Sequence, residues 1–336
     1  MRSAIVGCGG IGNVHAYNIN NMQDHKLVAF ADIDLEKAKK FVKDYGDSES
    51  KAYSSLEEML ENEKIDVLHI CTPHYLHVPM AIQAANRDIN VFMEKPLAIS
   101  EDQVHKLREV NKKVQIGVCF QNRYNKSVQY IRNLLQNGKA GIILGARAIL
   151  TWNREEKYYT QSGWRGSLKT EGGGLLINQA IHTLDLLIYF LGKPKAVEGT
   201  IINHHLKGII DVEDTAEAYI QFNEVTASFY ATNAFCTNSP VLLELVCENM
   251  IVKMEDTEIT ITYPDNTIER LSFKQEQLVG KNYWGNGHFA CISHYYDCLQ
   301  NNKHFPIDIE EAFKALQLLL GIYESSENKK LVKLVK

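Results

Sequence analysis

The sequence has little of what marks secreted or nucleic-acid-binding proteins. Its seven cysteines are scattered without any CxxC spacing, which argues against a disulfide framework or a zinc site and favours a reducing compartment. A net charge of -5 provides no basic surface for nucleic acid. The N-terminal segment MRSAIVGCGG lacks the apolar core and the cleavage site of a signal peptide.

Long hydrophobic runs are also lacking. The most apolar helix candidate, Leu175 to Leu191, is interrupted by Asn178, Gln179, His182 and Asp185, so it is too polar for a membrane span. We therefore expect a soluble, cytoplasmic protein with no nucleic-acid or membrane partner. Small molecules and further copies of the same chain are the expected partners.

The length of the chain predicts two domains, because 336 residues are many for a single hydrophobic core. Over residues 3–118, short β-rich runs alternate with helical segments such as Leu35 to Asp44 and Val78 to Ala85. The strand candidates are SAIVG, KLVAFAD, DVLHICT, NVFME and VQIGV. Continuous apolar strands that alternate with helices are typical of a parallel sheet covered on both faces.

Two further helix starts are indicated by serines with capping-box spacing. Ser54 precedes Glu57 by three residues, and Ser100 precedes Gln103 by three residues. In such a box the serine hydroxyl accepts a hydrogen bond from the third backbone amide of the helix. Both positions follow a strand candidate, so they agree with the alternating pattern.

The pattern changes after Arg123. A helix from Ser127 to Gln136 ends at Gly138, and longer alternating runs follow, which predict antiparallel strands of one large sheet. These runs are ILGARAILTW, AVEGTIIN, TAEAYIQF, VTASFYATN, LLELVCEN, EITITY and TIERLSF. Two helices, His288 to Leu299 and Ile309 to Glu327, close the chain.

The predicted fold class is therefore α/β with two domains. Residues 1–121 form a doubly wound parallel sheet that binds a dinucleotide. Residues 122–336 form an α+β domain with a large, mostly antiparallel open sheet, which binds substrate and supports oligomers.

The segment GCGGIG, Gly7 to Gly12, fits the pattern GxGxxG. A strand precedes it, a helix follows, and Asp32 ends the next strand 20 residues after Gly12, which is the context of a dinucleotide-binding turn. Gly7 permits a tight turn, Gly9 lets the backbone approach a pyrophosphate, and Gly12 allows the helix to pack closely on the strand. The alternative is a glycine turn that only packs.

The residue at the end of the second strand favours NAD over NADP. The Asp32 carboxylate can accept hydrogen bonds from both ribose hydroxyls but would repel a 2'-phosphate. Ile33 and Asp34 follow it, so no arginine stands in place to pair with that phosphate.

The segment MEKPLAIS places Glu94, Lys95 and Pro96 at the C-terminal end of the strand candidate NVFME. Open α/β sheets bind ligands at that edge, where a lysine can polarise a substrate oxygen. Glu94 could pair with the lysine or tune it, and the bond before Pro96 could be cis. The alternative is a solvated surface lysine.

The segment EGGGLLINQAIHTLD runs three glycines into an apolar helix candidate. Asn178, His182 and Asp185 follow one another at intervals of four and three residues, which places them on one helical face. This face predicts a substrate-facing edge with His182 as base and Asn178 as a neutral positioning group. A structural histidine with satisfied hydrogen bonds is the alternative.

Further histidines and an aromatic segment carry weaker signals. His74 and His77 are three residues apart, but no third ligand is apparent, so no metal site is predicted. The segment WNREEKYYTQSGWRG is rich in aromatic and guanidinium groups, which stack on sugar rings and bind hydroxyls or phosphate. Its candidate substrate-binding residues are Arg154, Tyr158, Trp164 and Arg165. A surface loop with a packed tryptophan is the alternative.

The chain resembles the Gfo/Idh/MocA oxidoreductases over essentially its whole length. The matching segments are GCGGIG, ADID, CTPHYLH, EKP, CFQNRY, GGGLLINQAIHTLD and NGHFACISHYYDCL, in the order of the family. EKP together with the segment from the glycines to the histidine is the specific pair. The resemblance implies an N-terminal Rossmann domain with NAD and a C-terminal domain whose open sheet supports dimers or tetramers.

The resemblance also implies which residues form the site. Lys95 and His182 would flank the reacting carbon, Asn122 and Arg123 would line the nicotinamide end, and His288 would reach the substrate. The full cofactor-binding set is Gly7, Gly9, Gly10, Ile11, Gly12, Asp32, Thr72, Pro73, His77, Glu94, Lys95, Asn122 and Arg123. The full substrate-binding set is Lys95, Arg154, Tyr158, Trp164, Arg165, Asn178, His182 and His288.

One departure concerns the catalytic set of Lys95, His182 and Asn178. Many family members have Asp where this chain has Asn178, and an aspartate and histidine pair is then the acid/base couple; a related sugar-oxidising branch carries amides here. The expected activity is NAD-dependent oxidation of a secondary hydroxyl on a sugar, sugar derivative or cyclitol. The alternatives are a glycosidase that uses NAD for transient oxidation and a non-catalytic NAD-linked sugar sensor.

Overall fold

The computed structural model describes residues 1–110, 112–274 and 287–334. Two compact units are present: Met1–Gln121 with Glu276–Phe313, and Asn122–Gln275 with Lys314–Lys336. The sequence analysis assigned all of 122–336 to the second domain, whereas residues 287–313 cluster with the first unit. Hydrogen bonds account for this: Val118 N–H donates to Ile307 O at 3.0 Å, and the Tyr295 hydroxyl donates to Val91 O at 2.9 Å.

The first unit contains a six-stranded parallel sheet with the strand order β3-β2-β1-β4-β5-β6. Its strands are β1 Arg2–Val6, β2 Lys26–Ala31, β3 Lys51–Tyr53, β4 Val67–Ile70, β5 Asn90–Glu94 and β6 Ile116–Cys119. Every residue of β4 and β6 is buried, as expected for strands covered on both faces. The strand order reverses between β1 and β4, and the carboxyl ends there form the crevice where such sheets bind ligands.

The second unit contains a nine-stranded sheet with the order β14-β13-β12-β11-β7-β10-β9-β8-β15. Its strands are β7 Ile143–Thr151, β8 Ala196–Ile202, β9 Thr215–Gln221, β10 Thr226–Thr232, β11 Leu242–Cys247, β12 Ile251–Glu255, β13 Glu258–Thr262, β14 Ile268–Ser272 and β15 Val332–Lys333. The predicted fold class is confirmed. However, β7 and β10 pair in parallel, and β3, β12 and β15 were not predicted.

The helices of the described residues agree closely with the apolar periodicity. They are α1 Gly10–Asn20, α2 Leu35–Tyr45, α3 Leu56–Asn62, α4 His77–Ala85, α5 Glu101–Arg108, α6 Lys126–Gln136, α7 Glu156–Thr160, α8 Ile181–Leu191, α9 His288–Gln300 and α10 Ile309–Asn328. A π-helical turn, Leu176–Ala180, precedes α8 directly. None of the helices in the described ranges has the length and apolar character needed to cross a bilayer.

One predicted helix start is wrong by a residue. Ser55, not Ser54, caps α3, because its hydroxyl accepts a hydrogen bond from Glu58 N–H at 3.2 Å. The Ser54 hydroxyl donates instead to the Glu58 carboxylate at 3.2 Å. The second predicted cap is confirmed, since the Ser100 hydroxyl accepts from the third amide of α5.

Candidate active site

The turn between β1 and α1 has the backbone that its glycines predict. Gly7 has a φ of +94°, and a Cβ there would lie 2.5 Å from the Cys71 carbonyl oxygen. A Cβ at Gly12 would lie 2.2 Å from the Gly7 carbonyl oxygen. In contrast, a Cβ at Gly9 would meet nothing within 4 Å, and no side chain caps α1. The helix N-terminus therefore opens onto space that fits the pyrophosphate of a dinucleotide.

Asp32 lies beside this turn at the end of β2. Its Oδ2 accepts a hydrogen bond from Cys8 N–H at 2.8 Å, and its Oδ1 accepts one from Asp34 N–H at 2.9 Å. The side chain of Ile33 is 99% exposed. Asp32 thus has the position of the ribose-binding carboxylate, and it also holds the glycine turn, a role that the sequence did not predict.

The EKP segment follows β5, and the bond between Lys95 and Pro96 is cis. Glu94 is buried, and its Oε1 lies 2.9 Å from His15 Nε2. Burial raises the pKa of Glu94, but the hydrogen bond and charge of His15, with the charge of Lys95, outweigh it and hold that pKa well below its ordinary value. Glu94 therefore stays a carboxylate, with His15 as its direct partner.

A chain of buried polar groups continues from His15 and was not predicted. His15 Nδ1 lies 2.9 Å from His69 Nδ1, and His69 Nε2 lies 2.8 Å from the Tyr296 hydroxyl. That hydroxyl lies 2.6 Å from the Ser3 hydroxyl. Burial lowers the pKa of His15, but hydrogen bonds with Cys119 and Glu94 outweigh it and raise that pKa to about 9. His15 is therefore an imidazolium that donates to Glu94 and to His69.

Three members of this region, His15, Glu94 and Cys119, offer ligand atoms that all lie within 4.8 Å of one another. The chemistry favours a hydrogen-bonded ion pair over a metal site. Burial raises the pKa of the Cys119 thiol well above its ordinary value, so the thiolate that a metal needs is disfavoured.

His288 and His77 are buried in the same unit. Burial lowers the pKa of His288 to about 4 despite the opposing charge of Glu94, so its ring is neutral. Its Nε2 has no hydrogen-bond partner within the described ranges, which suits a group that meets a ligand. His77 instead contacts backbone: Nδ1 lies 2.8 Å from Pro96 O and Nε2 lies 2.9 Å from Thr72 O. His77 therefore links Thr72, which lies with Pro73 in the segment after β4, to Pro96, which lies in the segment after β5.

The CFQNRY segment begins the second unit. Asn122 Oδ1 is buried without a hydrogen-bond partner in the described part of the chain. The Arg123 guanidinium donates to both oxygens of Asp185, at 2.8 Å from Nε and 2.7 Å from a terminal nitrogen. It also lies 4.9 Å from the Tyr189 ring centroid. The predicted substrate-facing role of Asp185 is therefore wrong, since this carboxylate is buried in an ion pair.

The glycine run is explained by Glu213 and Tyr323, which the sequence analysis missed. A Cβ at Gly173 would lie 2.0 Å from the Tyr323 hydroxyl, and a Cβ at Gly174 would lie 2.1 Å from Glu213 O. The Glu213 carboxylate accepts hydrogen bonds from Gly174 N–H at 2.9 Å and Leu176 N–H at 2.8 Å. The start of the polar helix is therefore anchored on a buried carboxylate.

The helix itself is not a regular α-helix. Asn178 lies in the π-helical turn, whereas His182 lies in the first turn of α8 and is half-buried. A π-helical turn contains more residues than an α-helical turn, so spacings of four and three residues do not define one straight face. Helix insertions of this kind are frequent at functional sites.

Asn178 belongs to a second buried network. Its amide nitrogen donates to Oε1 of Glu171, whose Oε2 accepts from Gly166 N–H at 2.6 Å. The Tyr158 hydroxyl lies 3.3 Å from the same amide nitrogen and accepts from Gln179 Nε2 at 3.0 Å. Burial raises the pKa of Glu171 to about 7, against these hydrogen bonds and the charge of Arg165. Glu171, also missed from the sequence, therefore changes charge near neutral pH.

Fold and site together define a class of protein. The strand order of the first unit, its open glycine turn and the carboxylate after β2 are those of an NAD-binding enzyme of the Rossmann type. Residues 1–121 match the model of the "Oxidoreductase family, NAD-binding Rossmann fold", and residues 128–253 match that of the "GFO/IDH/MocA C-terminal domain". The chain belongs to the Gfo/Idh/MocA family, as the sequence analysis predicted.

Similar proteins agree with this assignment. The chain is 26% identical to the D-glucoside 3-dehydrogenase of Escherichia coli, over 97% of this chain and 95% of that one. It is 24% identical to the myo-inositol 2-dehydrogenase of Thermotoga maritima, over 66% and 65%. The WlbA dehydrogenase of Bordetella pertussis, solved with NADH and UDP-GlcNAcA, is 25% identical, with a TM-score of 0.86 over 100% and 99% of the two chains. The protein is an NAD-dependent oxidoreductase.

Proposed function

We propose that the protein oxidises a secondary hydroxyl of a sugar, sugar derivative or cyclitol with NAD, and reduces the corresponding ketone in reverse. The observation that carries this is the open glycine turn with Asp32 beside it, together with the EKP segment at the carboxyl end of β5 in the same sheet. The activities named for the similar dehydrogenases, which act on a glucoside and on an inositol, support the substrate class.

Two side chains carry the proposed chemistry. Bound NAD+ supplies the hydride acceptor. His182 takes the hydroxyl proton, and the Lys95 ammonium stabilises the negative charge that develops on the oxygen. Lys95 lies close enough to Glu94 and His288 for its charge to help lower the pKa values of both groups. Asn178 positions a substrate hydroxyl without adding charge.

The proposal is tested by a screen of cyclitols, aldoses, uronates and sugar phosphates with NAD+, followed by NADH absorbance. We expect Lys95→Ala to lower turnover by about tenfold to a hundredfold and His182→Asn by about a hundredfold to ten-thousandfold, with NAD binding nearly unchanged in both. A glycosidase would release free sugar without net NADH, and a sensor would bind sugar without either product.

Cofactor choice is a separate part of the proposal. Asp32 is held by two backbone amides, so its charge stands fixed where a 2'-phosphate would lie. Replacing Asp32 with Ser and Ile33 with Arg should move the preference toward NADP, because a repulsion is removed and a phosphate partner is added. Tighter binding of NADP by the unaltered protein, measured by titration, would contradict this role of Asp32.

We also propose a cytoplasmic homodimer or homotetramer. All seven cysteines are free, which suits a reducing compartment. Tyr219 of β9 and Tyr230 of β10 are 45% and 39% exposed. They lie on the open face of the large sheet, since neighbours in each strand alternate with buried residues. Sedimentation velocity of the unaltered chain and of Tyr219→Glu tests whether this face forms the subunit contact.

A further inference from the structure

Two arginines share one tyrosine in the second unit. The Arg165 guanidinium carbon lies 4.6 Å from the Tyr158 ring centroid and 4.7 Å from that of Trp164. The Arg154 guanidinium carbon lies 5.3 Å from the Tyr158 centroid and 4.9 Å from that of Trp152. The Tyr158 hydroxyl belongs to the network of Asn178 and Glu171. The two cations therefore adjoin the groups proposed to position a sugar hydroxyl.

Stacking leaves the donors of a guanidinium available. An arginine that rests on aromatic faces has its plane fixed, while its in-plane N–H groups remain free to bind two oxygens of one anion. Nε of Arg165 is buried and has no hydrogen-bond partner in the described ranges. Arg154 is buried as well, and one terminal nitrogen donates to Asn153 O at 2.6 Å and to Asn238 Oδ1 at 2.9 Å, which fixes its position.

The charge of Arg165 is only partly balanced. Glu171 is a buried carboxylate that interacts with Arg165, and burial raises its pKa to about 7, so at neutral pH it carries only about half of a negative charge. The charge of Glu213 also reaches Glu171, but this carboxylate is bound by Gly174 N–H and Leu176 N–H. Glu155 and Glu156 are exposed, where water and salt screen them. A partly balanced arginine with a buried donor beside a sugar site favours an anion from the ligand.

We infer that the substrate is an acidic sugar, with a carboxylate or a phosphate group that Arg165 binds and Arg154 supports. The inference rests on the proposed function and specifies its substrate class. A carboxylate or a phosphate presents two oxygens with the spacing that the guanidinium fork matches. A neutral sugar would offer the buried Nε donor of Arg165 no charged acceptor.

The test measures binding of matched sugars to the protein with saturating NADH by isothermal titration. Glucose is compared with glucuronate and with glucose 6-phosphate, and galactose with galacturonate. We expect the acidic member to bind at least about tenfold tighter than its neutral partner, and the advantage should shrink at high salt. The uronate and phosphate arms distinguish which anion is preferred.

Variants identify the residue responsible. Arg165→Gln should lower the affinity for the acidic sugar by at least about tenfold, a loss several times larger than that for the neutral sugar, and Arg165→Lys should retain part of the advantage. Arg147→Gln is the matched control, since Arg147 lies on β7 in an exposed ion pair with Glu244, and it should change neither affinity. Circular dichroism checks that each variant folds.

The outcomes separate the two proposals. The inference is overturned if neutral sugars bind as tightly as acidic ones, if no acidic sugar binds, or if Arg165→Gln weakens both kinds equally. Oxidation of neutral sugars alone would overturn the inference and keep the proposed dehydrogenase function. Failure of every sugar to reduce NAD+ would speak against the proposed function itself.

Discussion

Glu94 in the first unit and Glu171 in the second are buried to nearly the same extent but differ in acidity. Glu94 is 6% exposed and Glu171 is 0% exposed. Burial is the largest influence on each and raises both pKa values. The pKa of Glu94 nevertheless lies well below its ordinary value, whereas the pKa of Glu171 is raised to about 7.

The partners of the two carboxylates explain the difference. Glu94 faces the imidazolium of His15 at 2.9 Å. Glu171 faces the neutral amides of Gly166 and Asn178, and the charge of Arg165 has a smaller effect. A charged partner at hydrogen-bond distance outweighs desolvation, and neutral donors do not. The first unit therefore holds a permanent ion pair, while the second holds a carboxylate that titrates.

The largest expected effect comes from removing each carboxylate in turn. Glu94→Gln should lower the free energy of unfolding at pH 7 by about 3 kcal/mol, because it breaks a buried ion pair and leaves His15 without its counter-charge. Glu171→Gln should stay within about 1 kcal/mol of the unaltered protein, because an amide resembles the protonated acid that is already half populated. Urea unfolding followed by circular dichroism measures both. Equal losses in the two variants would refute the difference between the partners.

The fold was predictable where the signal is local. Continuous apolar runs separated by helices gave five strands of the first sheet, and the turn at Gly7 and Gly12 gave the cofactor loop. Strand β3 has three residues, too few for a periodic pattern. The parallel pairing of β7 with β10 joins segments about 80 residues apart, and hydrophobic alternation does not specify which strands become neighbours.

The site was predictable as far as its motifs reach. The positions of Lys95 and Asp32 directly after β5 and β2 follow from the strand pattern, and their roles stay predictions. The partners of His15 and Arg123 do not: His69 lies 54 residues from His15, and Asp185 lies 62 residues from Arg123. A sequence shows that a polar residue stands in an apolar segment, but not which distant group satisfies it. For Glu171 a local signal existed, because this charged residue directly precedes three glycines and an apolar helix.

The second prediction concerns pH. A group whose pKa is higher in the folded than in the unfolded chain stabilises the fold when protonated, and this contribution is lost as pH rises. For Glu171 the loss extends from its ordinary value of 4.5 to about 7, and for His15 from 6.5 to about 9. Each of these two contributions should therefore fall across its own window. The lowered pKa values of the buried His69, His77 and His288 add contributions that rise up to pH 6.5, so the Glu171 window is measured as a difference between variant and unaltered protein.

Variants assign each window to one unit. Glu171→Gln should remove the falling contribution between pH 4.5 and 7, so its stability relative to the unaltered protein should rise with pH there. His15→Gln should flatten the stability between pH 7 and 9, and each variant should leave the other window unchanged. Urea midpoints at half-unit pH intervals give the two slopes. If His15→Gln leaves the alkaline slope intact, the imidazolium assigned to the first unit is wrong.

The smallest expected effect comes from Asn178→Asp, which places a second carboxylate beside Glu171. In Asn178→Asp the donated amide hydrogen is lost, and two carboxylates at hydrogen-bond distance share one proton, so the pair carries a full negative charge near neutral pH. His182 stands in the first turn of α8, directly after the π-helical turn that contains residue 178, and this charge should stabilise its imidazolium and shift the acid limb of the kcat/KM profile upward by about a unit. In the Glu171→Gln background the same change adds a whole charge where none was present, so the shift should be at least as large. If the limb stays in place or moves down in both backgrounds, in proteins that fold and bind NAD, His182 is not the base, and the amide at Asn178 serves only to hold Glu171.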